Sequence, residues 1–278
     1  MVDSNVQADS QTVQEPKRST NYAYGIALIV FAIVVIEFFA SPLFQQRAQR
    51  QLFSQFQAQT ALAASAFGQS GVSPLPDTAP AYGSAVALLQ IPKLGINQIV
   101  VEGISSNFTQ NGPGHVPGTV LPGQAGESVI VGRRTTFGAP FYNIGSLKVG
   151  DEISITTVEG PSTYKVISPK FVSGTSSNIL KLVTSNPPIL ATSSKTIVAE
   201  LTRKPYPATP KNARTAPSTN QFAFMLLILE VLILVLLVTR NVYRKFGTVI
   251  GWLILTPIIA GALVALTLTL DTLLPSTI

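Results

Sequence analysis

Residues 87–103 read ALLQIPKLGINQIVVEG, and this stretch decides the fold. It holds two short apolar runs, residues 87–91 and 99–101, separated by a turn that contains proline and glycine. Short runs of this kind with turn residues between them are typical of β-strands. Three further runs follow, at residues 128–131, 152–155 and 196–199. The pattern predicts an all-β sandwich or barrel over residues 86–203.

The composition is unlike that of an ordinary soluble protein. Hydrophobic residues make up 46% of the 278 residues and charged residues only 12%, with a mean hydropathy of +0.37, whereas soluble proteins carry about 25% charged residues. The formal net charge is +6, but the basic residues are scattered or flank apolar runs, so we expect no nucleic-acid partner. The absence of cysteine excludes disulfides, thiolate metal sites and cysteine nucleophiles.

Three long apolar runs predict transmembrane helices, at residues 24–40, 222–238 and 248–270. The first run contains Glu37 near its far end. A cleavable signal peptide is the alternative interpretation of this run, but the charged region before it is unusually long, which favours an uncleaved anchor.

Basic residues beside the apolar runs predict the orientation, since positive charge concentrates on the cytoplasmic side. These residues are Lys17, Arg18, Arg240, Arg244 and Lys245. The β domain is then extracytoplasmic, in a multi-pass protein of a bacterial cytoplasmic membrane. The predicted segments are a disordered cytoplasmic tail (1–20), a transmembrane helix (21–42), a stalk helix (43–68), a linker (69–85), the β domain (86–203), a second linker (204–220), transmembrane helices at 221–239 and 248–270 joined by a basic cytoplasmic loop (240–247), and an extracytoplasmic tail (271–278).

The β domain resembles the sortase family, in the actinobacterial housekeeping-type, class E-like variety. The resemblance rests on six motifs in the family's order: IPKLGI (91–96), GPGH with PGT (112–119), LPGQ leading into SVIVG (121–132), RTTFGAPF (134–141), LKVGDEI (147–153) and LVTSNP (182–187). The resemblance implies an all-β fold, a sortase-like eight-stranded closed β-barrel, outside the membrane.

The family's catalytic positions hold other residues in this chain. Sortases cut a sorting signal in a secreted protein and join it to an amine, using a cysteine nucleophile, a histidine and an arginine. The cysteine position falls on Ser185 and the histidine position on Arg133. The arginine position falls on Lys195 if one gap is allowed, or on Ser194 without a gap.

These substitutions predict an inactive enzyme. A serine hydroxyl needs an adjacent base, and the guanidinium of Arg133 has no acceptor atom. Loss of acid–base assistance costs about 10²–10⁴-fold in rate. Lys195 retains a positive charge for an oxyanion, and His115, the only histidine, is a possible rescue base for Ser185. We interpret His115 instead as a residue that packs or hydrogen-bonds within its turn.

We therefore expect a pseudo-sortase that acts in recognition or scaffolding at the cell surface, binding a secreted protein's tail, a cell-wall component or an active sortase. Arg133 and Lys195 form a hypothetical ligand-binding pair for an anionic group; the alternative is that both side chains are solvated. We expect no cofactor and no metal, although a calcium site stays open.

Two other functions stay open. One is a residual Ser185-dependent transpeptidase or hydrolase that acts on sorting signals. The other is a membrane-complex subunit that works through its transmembrane helices around Glu230, which lies near the midpoint of the second apolar run. We interpret Glu230 as a protonated side chain that holds two helices together.

Overall fold

The computed structural model describes residues 41–70, 78–167, 178–188 and 192–212, together with Gly261. Within these ranges, no helix is both long and apolar enough to cross a membrane. The three predicted transmembrane runs lie almost entirely outside the described residues, so their spans and orientation stay predictions.

The described chain forms one long helix followed by eight strands. The helices are α1 (Ser41–Ser70) and α2 (Ser106–Thr109), and two 3₁₀ turns cover Pro92–Leu94 and Ile144–Ser146. The strands are β1 (Ala85–Ile91), β2 (Ile96–Glu102), β3 (Gly114–His115), β4 (Gly126–Val131), β5 (Glu152–Thr157), β6 (Gly160–Ile167), β7 (Asn178–Asn186) and β8 (Ser193–Leu201). The predicted stalk segment, residues 43–68, lies within α1.

The strands close into a barrel in the order β1-β2-β3-β4-β7-β8-β6-β5. The prediction of an all-β, eight-stranded closed barrel is confirmed. The pairs β2–β3 and β4–β7 are parallel, and the other neighbours are antiparallel. Closure pairs the backbone of every strand on both sides, which removes the exposed edges that an open sheet would present.

The barrel interior is filled by side chains that alternate with outward-facing ones along each strand. Leu180 and Leu182 of β7 and Ala199 of β8 belong to this core and are fully buried. Tyr164 of β6 also reaches it, and burial raises the pKa of its hydroxyl to about 12. The tyrosine oxygen accepts a hydrogen bond from the Gly123 amide at 2.6 Å, so this polar group is satisfied inside the core.

One end of the barrel holds the last residues of β7, and we call it the Ser185 end. The registers place one residue from each of five neighbouring strands in a row: Val101, Gly114, Val131, Val183 and Thr196. From this row, β7 continues to Ser185 and β4 leads into the loop over residues 132–151, while β2 runs back to Ile96. The Ser185 end therefore carries this loop and the turn at Pro92–Leu94.

Helix α1 lies along the outside of the barrel and begins at the Ser185 end. The amide of Gln49 binds the backbone of β2: its oxygen accepts from Ile99 N at 2.7 Å, and its nitrogen donates to Ile99 O at 3.1 Å. The same nitrogen donates to Asn111 O at 2.6 Å. Leu52 and Phe56, one and two turns further on, are buried in a cluster with β1 and β2. The helix is therefore fixed to the barrel by both polar and apolar contacts.

The chain after β8 packs on the opposite end of the barrel. The Tyr206 amide donates to Gly123 O at 2.8 Å. Further on, Asn212 Nδ2 donates to Pro80 O at 2.6 Å and to Glu102 Oε1 at 2.9 Å. Residues 204–212, the first part of the predicted second linker, are thus tied to the barrel.

We expect Gln49→Ala to destabilise the domain. The variant leaves three backbone groups without a partner: the nitrogen and oxygen of Ile99 in β2 and the oxygen of Asn111. Buried groups that lose a hydrogen bond cost about 1–3 kcal/mol, so the melting temperature should fall by several degrees in calorimetry of the detergent-solubilised chain. Gln46→Ala is the matched control, since Gln46 is exposed on the same helix. Equal melting temperatures for the two variants would show that the Gln49 contacts do not fix the helix.

Candidate functional site

The register of the β7–β8 hairpin decides which side chains share a face at the Ser185 end. Ser185 pairs with Ser194, and Thr184 pairs with Lys195. Because Leu182 faces the core and side chains alternate along a strand, Thr184 and Lys195 lie on the inner face. Ser185 and Ser194 lie together on the outer face. Of the two candidates for the family's arginine position, Ser194 is therefore the one beside Ser185.

The Ser185 hydroxyl has a poor set of neighbours for catalysis. The residue is 1% exposed. In the part of the chain that the structure describes, its hydroxyl makes one hydrogen bond, to Pro188 O at 3.5 Å. This is longer than the roughly 2.5–3.0 Å usual for an O–H···O hydrogen bond, and a carbonyl oxygen is not a general base. Among the described residues, no side-chain base contacts this hydroxyl.

Arg134, which the sequence analysis did not single out, contacts Ser185 directly. Its Nη1 donates to Ser185 O at 2.7 Å and to Asn186 Oδ1 at 3.2 Å. The side chain is half-buried and places a permanent positive charge at the end of β7. Only its position next to Arg133 marks it in the sequence, because the contact joins residues that are 51 positions apart.

Arg133 is buried in the loop that follows β4 and holds that loop together. Its guanidinium donates to Thr136 Oγ1 at 2.9 Å and to Ser106 O at 3.4 Å, and it lies 4.9 Å from the ring centroid of Phe137. The residue is 1% exposed. A ligand can reach the Arg133 charge only after this loop opens.

Lys195 points to a different neighbour from Arg133. Its side chain crosses the 3₁₀ turn so closely that Gly145 has no room for a Cβ. It is half-buried at the inner face of the hairpin. The structure therefore places the two predicted ligand-binding cations against separate parts of the 132–151 loop, and their joint action on one anion stays a prediction.

His115 is bound to other groups at the inner face of the barrel wall. Its Nδ1 lies 2.6 Å from Glu102 Oε2, and both side chains are 2% exposed. Its Nε2 lies 2.9 Å from Val120 O and 3.0 Å from Thr119 Oγ1. Because a carbonyl oxygen only accepts, Nε2 carries a hydrogen. Neither ring nitrogen presents a lone pair to Ser185.

The strand registers also separate His115 from Ser185. His115 pairs with Ile130 of β4, which pairs with Leu182 of β7. Two strand spacings and three residues along β7 give a Cα separation of roughly 14 Å. The geometry gives His115 the local turn role and does not support it as a rescue base.

The described residues also offer no cluster of three or more His, Asp or Glu side chains that could hold a metal ion. What the Ser185 end can do chemically is to present backbone groups, hydroxyls and the Arg134 cation to a polar ligand. Among the described residues of this end, the hydrogen-bond acceptor that the Ser185 hydroxyl contacts is the Pro188 carbonyl oxygen.

Comparison with known proteins shows what this barrel is similar to. Residues 89–202 match the Sortase domain. The chain is 30% identical over 103 residues to Sortase D of Bacillus subtilis (strain 168), covering 37% of this chain and 50% of that protein. It is 37% identical over 93 residues to Sortase SrtE1 of Streptomyces coelicolor (strain ATCC BAA-471 / A3(2) / M145), covering 31% of this chain and 26% of that protein. The chain thus spans half of the first relative's length and about a quarter of the second's.

A solved structure of sortase E from Streptomyces avermitilis is similar as well. It is 28% identical, with a TM-score of 0.37, and the match covers 45% of this chain and 93% of that structure.

We expect His115→Ala to destabilise the barrel rather than to remove a catalytic group. The variant leaves Glu102 Oε2 and Val120 O without their His115 partner in the barrel wall, and a buried polar group that loses its hydrogen bond costs about 1–3 kcal/mol. Thermal and denaturant unfolding of the full chain in detergent measure this loss.

Glu152→Gln is the control for this prediction. Glu152 pairs with Lys165 at 3.8 Å, and both side chains are more than half exposed, so its loss should cost less than about 1 kcal/mol. If His115→Ala were as mild as Glu152→Gln, the structural role of His115 would be wrong.

Proposed function

Residues 89–202 make this chain a member of the sortase family, and from that premise we propose that it is a membrane-anchored pseudo-sortase. Its barrel binds a ligand of the kind that sortases handle but does not transfer it to an amine. The proposal places the barrel outside a bacterial cytoplasmic membrane, with the predicted helices at residues 21–42, 221–239 and 248–270 as the anchor.

The observation that carries the proposal is the environment of the Ser185 hydroxyl. A serine becomes a nucleophile when a base removes its proton in the transition state. Here the hydroxyl donates to Pro188 O at 3.5 Å, and the one histidine of the chain is engaged by Glu102 elsewhere in the barrel. General acid–base assistance is worth about 10²–10⁴-fold, so its absence alone removes most of the rate.

The position of the family's histidine supports the same conclusion. Arg133 occupies it, is buried, and donates hydrogen bonds to Thr136 and Ser106. A guanidinium stays protonated at every physiological pH, so it neither takes a proton from Ser185 nor gives one to a leaving amine. It stabilises the loop instead.

Recognition remains possible without these catalytic groups. Arg134 keeps a half-buried positive charge next to Ser185 and Asn186, and such a cation suits a carboxylate or phosphate. A secreted protein's tail, a cell-wall component or the surface of an active sortase each offers such a group. The proposed partners are therefore these three classes, together with the membrane.

The test uses the full chain in lipid nanodiscs with a fluorogenic sorting-signal peptide and an amine acceptor. We expect cleavage and transfer by the wild-type chain to equal those of Ser185→Ala, because neither has an activated nucleophile. Fluorescence anisotropy of the same peptide should show saturable binding to both proteins.

Ser185→Cys is a further variant that keeps the same surroundings. We expect it to gain little turnover, since the leaving amine still has no proton donor: the guanidinium of Arg133 holds the family's histidine position and does not give up a proton. Turnover by the wild-type chain that Ser185→Ala abolishes would contradict the proposal and favour a serine-dependent transpeptidase or hydrolase. Absence of peptide binding would contradict the recognition role.

A further inference from the structure

We propose that the Ser185 end of the barrel rests on the outer membrane surface and contacts lipid. The contact surface consists of the first turns of α1 and the loop over residues 132–151; we call it the lipid-facing end. This inference rests on the proposed membrane anchor. It adds the orientation of the barrel and a partner, the surface of the lipid bilayer.

The first described turn of α1 sets the height of the barrel. The predicted transmembrane run ends at Ala40, and the next residue, Ser41, is already helical. With a rise of 1.5 Å per residue, Leu43 and Phe44 lie roughly 3 and 4.5 Å further along the helix axis. The interfacial layer of a bilayer is roughly 5–7 Å thick on each side. The two side chains, 60% and 41% exposed, therefore fall within it.

The other side of the same helical turn binds the barrel. Ser41 Oγ accepts a hydrogen bond from the Phe137 amide at 3.2 Å. One turn later, Gln45 packs so closely against Gly138 that a Cβ there would collide with its side-chain oxygen. The loop over residues 132–151 is therefore held at the level where the chain leaves the membrane. Tyr142, in this loop, is 58% exposed.

The strand registers give the same orientation independently of these contacts. Leu52 and Phe56 pack near Ala85, the first residue of β1, so α1 rises towards the start of β1. The end of β1 and the Pro92–Leu94 turn then lie low, at the Ser185 end. Lys93 in that turn contacts Asp151 of the loop at 2.6 Å, which joins both segments at one end of the barrel.

The distribution of exposed apolar side chains fits a lipid surface. Six large apolar side chains are exposed among the described residues, and four of them lie at this end: Leu43, Phe44, Tyr142 and Val149. The other two, Phe53 and Leu62, lie higher on α1. Exposed apolar groups gathered at one end of a protein mark an interaction site, and tyrosine is enriched at membrane interfaces.

Basic side chains next to the apolar group complement anionic lipid headgroups. Arg47 and Arg50 are exposed on α1 one and two turns above Leu43, and Lys148 is exposed beside Val149. Long basic side chains near a membrane surface are attracted to anionic lipid headgroups. The lipid-facing end thus has an apolar layer followed by a basic layer, in the order in which a bilayer presents acyl chains and phosphates.

Depth-dependent quenching tests this orientation, and the cysteine-free chain allows single-site labelling. Tyr142→Cys is labelled with an environment-sensitive fluorophore, and the full chain is reconstituted into phosphatidylcholine–phosphatidylglycerol vesicles that contain lipid with a shallow nitroxide quencher. We expect a blue-shifted emission and loss of fluorescence. Ala125→Cys is the control, because Ala125 is exposed just before β4, roughly 20 Å along that strand from the Ser185 end; its label should keep its fluorescence.

Carbonate extraction of the same vesicles distinguishes a failure of the proposed membrane anchor from a failure of the proposed orientation. Release of the chain from the vesicles would contradict the anchor and this inference together. A chain that resists extraction while its Tyr142 label is quenched no more than the Ala125 label would overturn the orientation alone, and the pseudo-sortase proposal would stand. Phe44→Cys, labelled in the same way, repeats the measurement on α1 and should be quenched like Tyr142→Cys.

Discussion

Alternation along β7 and β8 determines which groups meet at the Ser185 end. Successive side chains of a strand point to opposite faces, so the pairing of Ser185 with Ser194 and of Thr184 with Lys195 puts a hydroxyl pair on the outer face and the lysine on the inner one. The cation that contacts Ser185 comes from Arg134 and binds its carbonyl oxygen, not its hydroxyl. Among the described residues, Arg134 thus places charge close to Ser185 while no side-chain base contacts the hydroxyl, and the proposed recognition role depends on this arrangement.

The two ends of the barrel hold different groups of polar side chains. At the far end, Glu102, His115 and Asn212 form a buried hydrogen-bonded group that ties the strands to the chain after β8. At the Ser185 end, the loop held by Arg133 packs against the first turn of α1. The buried hydrogen-bonded group thus lies at the end away from Ser185, while the Ser185 end contacts the first turn of α1, the helix that follows the predicted transmembrane run.

Much of the fold could be predicted from the sequence, because its strands are short apolar runs between glycine and proline turns. Residues 128–131, 152–155 and 196–199 lie within β4, β5 and β8 as expected. The two-residue strand β3 has no periodicity that a sequence pattern can reveal. Residue spacing also left both Lys195 and Ser194 as candidates for the family's arginine position, because a shift of one residue exchanges the two faces of a strand. The burial of Arg133 and the Arg134 contact come from the path of a loop, which residue spacing does not encode.

An unactivated Ser185 hydroxyl reacts no faster than the other serines of the chain, so its reactivity decides whether it can act as a nucleophile. The full chain in nanodiscs is incubated with a fluorophosphonate, which forms a stable adduct with activated serines, and is analysed by intact-mass and peptide mass spectrometry. We predict no adduct at Ser185 beyond that at other serines of the chain. A selective adduct at Ser185 would show that a base acts on it and would rule out the proposed pseudo-sortase.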